Sequence, residues 1–254
     1  MDLILAFDPA DLGHIDPPAD AVVFPELVIG GYAQLDSGKA LRYQDDPDVQ
    51  VFRRLSRTAG TTCIAGSIAL RAQRGKPTNT SLVFRNGRQI FRYDKIHLFR
   101  PAQDDRYFRP GSGFGTFPVG PANARLRAGV IICYDLRFPE LSRFLARQGI
   151  DILFVPARWP EVRDDAWQTL LKSRAIEDQM FVIGCNARDG EGGYSYVFGP
   201  GGELVFSTRT DRTSPYHRVT IDTARIAEVR SQVAYGEDAV LLRALTIPRR
   251  FRRP

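Results

Sequence analysis

Residues 129–141 read G-V-I-I-C-Y-D-L-R-F-P-E-L and contain the signals of a strand that is followed at once by a helix. Residues 130–132 form an apolar, β-branched run of the kind found in buried strands. Pro139 is favoured in the first turn of a helix. Cys133 lies between the two elements, where α/β folds place functional groups and where backbone N–H groups stabilise a thiolate. Taken alone, the stretch leaves two interpretations of Cys133 open: a nucleophile, or a small buried core residue.

Four further motifs occur along the chain. They are F-P-E at 24–26, Y-D-K-I-H-L-F at 93–99, W-P at 159–160 and S-R-A-I-E-D-Q at 173–179. Together with the cysteine stretch, and in this order, they resemble the motifs of the nitrilase, or carbon–nitrogen hydrolase, superfamily. That family uses a Glu-Lys-Cys triad, and the resemblance covers nearly the whole chain. It assigns the triad to Glu26, Lys95 and Cys133, whereas Glu26 and Lys95 taken singly are also compatible with an ordinary ion pair.

The resemblance implies hydrolysis of an amide carbon–nitrogen bond by a cysteine. Cys133 would attack the carbonyl carbon and form a thioester. Glu26 would take the thiol proton, pass it to the departing ammonia and later activate water. Lys95 and the backbone N–H of Tyr134 would stabilise the oxyanion of the tetrahedral intermediate.

A second carboxylate is expected near the triad. The family usually has a glutamate seven residues before the glycine of a P-G pair, and here that pair is Pro110-Gly111. The matching position is Asp104, whose side chain is one methylene shorter than that of glutamate. We expect Asp104 to face Cys133 within reach of Lys95 or Glu26, on a loop that is displaced toward the site.

The strings C-Y-D-L-R-F-P-E and W-P-x-x-R look most like those of omega-amidases, which hydrolyse small monoamides of dicarboxylates. Such substrates have a carboxylate that a guanidinium can bind with two parallel hydrogen bonds. Arg137 and Arg163 are the candidates for this contact, and a structural ion pair is the alternative for each. Trp159 is expected to line the substrate pocket, with core packing as its alternative.

The composition limits the other classes of protein. The 254 residues are 43% hydrophobic, which supports a sizeable core, and we interpret residues 1–254 as a single domain. The net charge of +6 includes the arginine-rich run 249–253, which we interpret as a solvated end and not as a nucleic-acid site. No apolar run is long enough to span a membrane. The lack of a signal-peptide pattern and the three cysteines indicate a cytoplasmic protein without a disulfide framework.

Local patterns predict several elements. Asn86-Gly87 is typical of a tight primed turn and lies between two strand-forming runs, the second of which leads to Lys95. Residues 61–69 are rich in strand formers and are expected to form one strand. A helix is expected to begin after Asp46, with Pro at its first position, and to end at Gly60.

The alternation of strands and helices, together with hairpins, predicts a mixed, layered α/β fold. The resemblance refines this expectation to a four-layer αββα sandwich that forms a homodimer or a higher homo-oligomer. Pro9, Pro17 and Pro18 disfavour an ordinary helix between the first two strands. We therefore expect the first helix of the family to be shortened or missing.

A cysteine–histidine hydrolase is the rival mechanism. The chain has three histidines, His14, His97 and His217. His97 lies two residues from Lys95, and we interpret it as a packing residue beside the site. Cys63 and Cys185 lie in apolar contexts and are expected in the core. No residues have metal-ligand spacing and no glycine-rich phosphate loop occurs at a strand–helix junction, so we expect neither a metal nor a cofactor.

The expected partner is thus a small-molecule amide, and neither nucleic acid nor a membrane. Two alternative functions stay open. One is an N-carbamoyl amine or amino acid hydrolase, which uses the same triad. The other is a catalytically weak paralogue that acts as a binding protein, suggested by Asp104 and by the missing helix.

Overall fold

The computed structural model describes residues 1–11, 18–58, 60–121, 123–124 and 126–233. Its strands are β1 (Asp2–Ala6), β2 (Ala21–Val23), β3 (Leu41–Arg42), β4 (Thr62–Ile64), β5 (Ile68–Leu70), β6 (Thr78–Arg85), β7 (Arg88–Asp94), β8 (Phe117–Val119), β9 (Leu126–Val130), β10 (Ile152–Ala157), β11 (Phe181–Asn186), β12 (Tyr196–Phe198), β13 (Leu204–Ser207) and β14 (Tyr216–Thr220). Its α-helices are α1 (Pro47–Leu55), α2 (Asp104–Tyr107), α3 (Pro139–Ala146), α4 (Asp164–Asp178) and α5 (Ala224–Gln232).

The described strands form two sheets. The first has the order β14-β1-β2-β4-β6-β5-β3, with β7 paired to β6, and the second has the order β13-β12-β11-β10-β9-β8. Strands β1, β2 and β4 run parallel, as do β9, β10 and β11. The carboxyl ends of β2 and β10 meet across the sheets, where the N–H of Glu26 donates to the carbonyl of Ala157 at 3.4 Å. The segments that follow β2, β9 and β10 are therefore brought to one edge.

Alternate residues of β1 face the two sides of the first sheet, as the period of a strand requires. Leu3 and Leu5 are buried between the sheets, in the same cluster as Phe154 of the second sheet. Ile4 packs on the other side, in a cluster with Phe52 of α1. The first sheet thus has a helix on its outer face and the second sheet on its inner face.

Helices α3 and α4 cover the outer face of the second sheet. A Cβ added to Gly184 of β11 would lie 2.5 Å from Leu171 and 2.6 Å from Trp167, both of α4. A Cβ added to Gly129 of β9 would lie 3.1 Å from Leu145 of α3. The layers therefore follow the order helix, sheet, sheet, helix, and the predicted αββα sandwich is confirmed.

The local predictions have different outcomes. The hairpin of β6 and β7 is confirmed, and Asn86 (φ 51°) and Gly87 (φ 70°) have the positive φ values of a primed turn. The single strand expected over 61–69 is wrong, because it is broken into β4 and β5. Gly66 (φ 58°) lies in the break, where a Cβ would be 2.0 Å from the carbonyl of Pro25. Helix α1 also ends earlier than expected, at Leu55 and not at Gly60.

The connection between β1 and β2 contains a 3-10 turn, Pro9–Asp11, and no α-helix in its described part. Residues 12–17, which include Pro17 and His14, lie outside the described residues, as does the basic run 249–253. The described part of the connection agrees with the prediction of a shortened or missing first helix. None of the helices described has the length and the apolar character needed to cross a membrane.

Candidate active site

The three residues of the predicted triad come together at the shared edge of the two sheets. Glu26 follows β2, Lys95 follows β7, and Cys133 follows β9 after two residues. The Lys95 Nζ lies 2.8 Å from Glu26 Oε1, and both side chains are fully buried. The Glu26 carboxylate and the Lys95 ammonium both act on the Cys133 thiol, the carboxylate raising its pKa and the ammonium lowering it. A nucleophile, a carboxylate and an ammonium therefore share one buried site.

Three further groups hold the Glu26 carboxylate. Asn79 of β6 donates to Oε1 at 2.9 Å, and the Tyr32 hydroxyl donates to the same oxygen at 3.3 Å. The backbone N–H of Arg158 donates to Oε2 at 3.0 Å. Sequence analysis did not identify these residues. One feature of the sequence could have identified Arg158: it lies just after a buried strand, as Cys133 does, and just before W-P.

Asp104 lies on the other side of Lys95. Its Oδ2 is 2.7 Å from Lys95 Nζ and also accepts the N–H of Phe99 at 2.9 Å. The side chain is fully buried, and its Oδ1 has no hydrogen-bond partner among the described residues. Gln103 has a left-handed backbone (φ 57°), and Asp104 begins helix α2 directly after it. The expectation that this carboxylate reaches Lys95 is confirmed.

The electrostatics of the site favour a charged lysine and a neutral thiol. Burial by itself lowers the pKa of Lys95, but Glu26, followed by Tyr32, Asp104 and Cys133, outweighs it and holds that pKa well above its usual value. Burial raises the pKa of Cys133, and Glu26 raises it further, against the opposing effects of Lys95 and the Arg158 N–H. A raised pKa makes the thiol harder to deprotonate, so it needs a base, and the Glu26 carboxylate is the group that acts on it most strongly after burial.

Cys133 stands on a constrained turn. Its φ of 46° is unusual for a residue with a side chain, and it begins the 3-10 turn Cys133–Arg137. Asp135 of this turn accepts the N–H of Ile132 at 3.0 Å, the Tyr93 hydroxyl at 2.7 Å and the N–H of His97 at 2.9 Å. A residue with this backbone conformation destabilises the fold by about 1–3 kcal/mol and persists only where surrounding contacts hold it, as the hydrogen bonds of Asp135 do here.

His97 contacts the support of this turn. Its Nδ1 is 2.8 Å from Asp135 Oδ1, and its ring stacks on that of Phe138 with centroids 3.6 Å apart. Both contacts agree with its interpretation as a packing residue. Cys63 and Cys185 are fully buried in the core, as expected, and burial raises the pKa of both thiols.

A cavity of about 270 Å³ opens beside Cys133. It is lined by Tyr32, Phe99, Ala102, Cys133, Tyr134, Arg137, Arg158, Trp159, Pro160, Arg163 and Glu191. All four residues expected at the substrate, Tyr134, Arg137, Trp159 and Arg163, thus line the same cavity as the cysteine. Within the described residues, no three His, Cys, Asp or Glu side chains are arranged as a metal site.

The two predicted arginines stack on aromatic rings of the cavity wall. The Arg137 guanidinium lies 4.7 Å from the ring centroid of Trp159, and that of Arg163 lies 5.6 Å from the centroid of Phe99. Both arginines are exposed, and neither has a carboxylate partner in the part of the chain that the structure describes. Trp159 donates its Nε1–H to the carbonyl of Arg163 at 2.9 Å, so a hydrogen bond connects the Arg137–Trp159 contact with the Arg163–Phe99 contact.

Comparison with known proteins identifies the family of this site. Residues 13–231 match the model of the carbon–nitrogen hydrolase family. The chain is 33% identical over 255 residues to the omega-amidase YafV of Escherichia coli (strain K12), with 91% of each chain covered. It is 33% identical over 228 residues to the 2-oxoglutaramate amidase of Bacillus subtilis (strain 168), a match that covers 87% of this chain and 85% of that protein.

The fold is similar to that of a solved member of the same superfamily. The structure of XC1258 from Xanthomonas campestris, a CN-hydrolase superfamily protein, matches with a TM-score of 0.80 at 27% identity, covering 94% of this chain and 96% of that one. The agreement of motif order, site geometry, family model and relatives leads to one conclusion: the chain belongs to the carbon–nitrogen hydrolase family.

Proposed function

We propose that this carbon–nitrogen hydrolase is an omega-amidase, which hydrolyses the terminal amide of a small dicarboxylate monoamide. The observation that carries the proposal is the pair of exposed guanidiniums, Arg137 and Arg163, on the wall of the cavity that contains Cys133. A cation without a carboxylate partner beside a nucleophile is suited to hold the free carboxylate of such a substrate. The names of the two amidase relatives point to the same class of substrate.

In the first half of the reaction, Cys133 Sγ attacks the amide carbon while Glu26 takes the thiol proton. The negative charge that develops on the carbonyl oxygen is stabilised by Lys95 and by the backbone N–H of Tyr134. When the intermediate collapses, the carbon–nitrogen bond breaks and Glu26 returns its proton to the nitrogen. Ammonia leaves, and the acyl group remains on Cys133 as a thioester.

In the second half, water replaces the cysteine. The water oxygen attacks the thioester carbon while Glu26 takes one proton from that water. Lys95 and the backbone N–H of Tyr134 stabilise the oxyanion, as in the first half. The carbon–sulfur bond then breaks, and Glu26 gives the proton back to the sulfur. The products are a dicarboxylate and the free thiol. Asp104 keeps Lys95 charged and in place through both halves.

Three further properties belong to the same proposal. The enzyme works as a homodimer or a higher homo-oligomer, in the cytoplasm, and without a cofactor. The N-carbamoyl hydrolase and the weak paralogue are the functions that the following experiment distinguishes from an omega-amidase.

Ammonia release identifies the substrate class. We expect succinamate and 2-oxoglutaramate to be turned over better than their uncharged methyl esters, N-carbamoyl amino acids or nitriles, and Cys133→Ala to release no ammonia from any of them. In Arg137→Ala or Arg163→Ala, the KM for the acid should rise about tenfold or more, because a charge-assisted bidentate contact contributes about 1.5–3 kcal/mol. The ester should be affected little.

Other outcomes contradict parts of this proposal. Equal losses for the acid and the ester would make both arginines structural. A preference for carbamoyl compounds would identify the N-carbamoyl hydrolase. If the folded protein releases ammonia from none of these compounds, it is the weak paralogue.

A further inference from the structure

The buried side chain of Arg158 makes a set of contacts that the reaction described above does not use. Its guanidinium is only 4% exposed, although it borders the cavity. Nε donates to the backbone carbonyl of Glu26 at 2.8 Å, and Nη2 donates to that of Leu27 at 3.2 Å. Nη1 reaches Asp189 at 2.6 Å and Glu191 at 2.8 Å. Every nitrogen of the guanidinium is thus engaged.

The two carbonyls belong to the turn that presents Glu26 to the thiol. Leu27 has a φ of 45°, an unfavourable value for a residue with a branched side chain. Its N–H donates to Ser67 Oγ at 2.9 Å, and its carbonyl also accepts the N–H of Gly31 at 3.0 Å. A turn in this conformation needs such fixed partners, and Arg158 supplies two of them.

The backbone on the carboxyl side of Arg158, at Trp159, is held by Asn186. Asn186 accepts the N–H of Trp159 at 2.8 Å and donates its Nδ2 to the carbonyl of Trp159 at 2.9 Å. The hydrogen bond from the Arg158 N–H to Glu26 Oε2 is made by the backbone, so the Arg158 side chain is not part of it. A substitution of the side chain removes the contacts to the Glu26 turn and leaves this backbone contact supported.

The acidic partners connect Arg158 to the loop after β11. Asp189 and Glu191 lie in the string D-G-E-G-G, and Glu191 also accepts the N–H of Tyr32 at 3.1 Å. Tyr32 in turn donates its hydroxyl to Glu26. The loop, Arg158, Tyr32 and the Glu26 turn thus form one connected set of contacts along a single wall of the cavity.

We propose that the Arg158 side chain is a positioning residue for the reaction: it fixes the turn that presents Glu26 to Cys133 and supplies a positive charge behind that carboxylate. Asp189 and Glu191 anchor the guanidinium, and their two negative charges exceed its single positive charge by one. The charged and polar groups that act on the Cys133 thiol are Glu26, Lys95 and the backbone N–H of Arg158, and Tyr32 interacts with both Cys133 and Asp104. The effect on kcat rests on the proposed amidase function.

The test uses the full chain with Arg158→Ala, Arg158→Lys and the double variant Asp189→Asn/Glu191→Gln. Each is measured in steady-state amide hydrolysis and in the alkylation of Cys133 by iodoacetamide as a function of pH, with the adduct located by mass spectrometry. The alkylation needs no substrate, so it reports on the site even if the substrate class is wrong.

For Arg158→Ala we expect kcat to fall about tenfold to a hundredfold with little change in KM, because a small displacement of a catalytic group has an effect of this size. The kcat of Arg158→Lys should lie between that of Arg158→Ala and that of the wild type. The midpoint of alkylation should move to higher pH in Arg158→Ala, since a positive charge is lost and two carboxylates remain. In the double acidic variant it should move to lower pH, with a smaller loss of kcat.

Arg230 offers a matched control. Its guanidinium also donates to two backbone carbonyls, those of Gln179 and Ile150, and pairs with a carboxylate, that of Asp151. It lies on α5 and does not line the cavity. Arg230→Ala should lower the melting temperature and leave both kcat and the alkylation midpoint unchanged.

The proposal is overturned if Arg158→Ala keeps the kcat and alkylation midpoint of the wild type, or if Arg230→Ala changes both as much. If Arg158→Ala does not fold, the test rests on Arg158→Lys and the double acidic variant. An unchanged kcat and an unchanged alkylation midpoint in both variants would then overturn the proposal. If the wild type hydrolyses no amide, the omega-amidase function fails separately, and the alkylation midpoints alone support or overturn the role of Arg158.

Discussion

Lys95 is the central charge of the site, because its ammonium is enclosed by two carboxylates and has no access to water. Glu26 and Asp104 lie 2.8 Å and 2.7 Å from it, and all three side chains are fully buried. Leaving a buried charge without a partner costs about 3–5 kcal/mol, so each member of the group requires the others. The same arrangement keeps Lys95 protonated and available to an oxyanion.

At this scale we predict that Glu26→Gln and Lys95→Met each lower kcat by at least about a hundredfold, the usual effect of losing a proton carrier or an oxyanion donor. Melting temperatures should be measured in parallel, since either change leaves a buried charge less well paired. His97→Ala is the control and should lower kcat much less, because the imidazole contacts Asp135 and Phe138. If His97→Ala is instead the severe variant, the base is a histidine and the assignment to Glu26 is wrong.

At the scale of elements, short segments after the strands do most of the positioning. The β6–β7 hairpin delivers Lys95, whose N–H donates to the carbonyl of Asn79 at 2.8 Å. Helix α2 is only four residues long, and its first residue is Asp104. Because Asp104 also accepts the N–H of Phe99, its carboxylate fixes the backbone between the hairpin and α2 as well as Lys95. This explains how a short side chain reaches the lysine.

We predict that Asp104→Ala lowers kcat by about tenfold or more, because a charge-assisted hydrogen bond contributes about 1.5–3 kcal/mol. Asp104 raises the pKa of Lys95, so its removal should move the alkaline limb of the pH–rate profile to lower pH. The measurement is kcat as a function of pH for Asp104→Ala, Asp104→Asn and Asp104→Glu. A neutral Asp104→Ala would remove the supporting carboxylate from the mechanism. A marked gain in Asp104→Glu would show that the aspartate is a partial defect.

At the scale of the whole molecule, the site exists only where the two sheets meet. Glu26 and Lys95 follow strands of the first sheet, whereas Cys133 and Arg158 follow strands of the second. Packing of the sheets through residues such as Leu5 and Phe154 therefore assembles the site as well as the core. The three cysteines, Cys63, Cys133 and Cys185, are all buried in this packed interior, and burial raises the pKa of each thiol.

We predict from these thiols that the free energy of unfolding falls as the pH rises above about 8.5, the usual pKa of a cysteine in an unfolded chain. Above that pH the unfolded state loses thiol protons that the folded state keeps, so stability decreases with pH by about 1.4 kcal/mol per pH unit for each thiol. Urea unfolding between pH 7 and 10 measures this slope. In the double variant Cys63→Ala/Cys185→Ala this slope should be smaller than in the wild type. An equal slope would mean that groups other than these two thiols dominate the pH dependence of stability.

The amino-acid sequence by itself determined the local elements and the chemistry-bearing motifs. The hairpin turn at Asn86-Gly87, the strand before Cys133 and the helix that begins at Pro139 follow from preferences that act over a few residues. The resemblance of these motifs, in their order, to those of the family assigned the triad to Glu26, Lys95 and Cys133, which the fold brings together. The family's usual glutamate position, counted from Pro110-Gly111, identified Asp104, whose carboxylate lies 2.7 Å from Lys95 Nζ.

Only the tertiary structure decided which groups hold those residues in place. Asn79 and Arg158 contact Glu26 across 53 and 132 positions of the chain, and Tyr93 contacts Asp135 across 42. The break in the strand expected over 61–69 has the same origin, since it depends on the approach of Pro25 to Gly66. Local preferences contain no information on contacts between distant segments. Such contacts are set by the packing of the two sheets, which is a property of the whole chain.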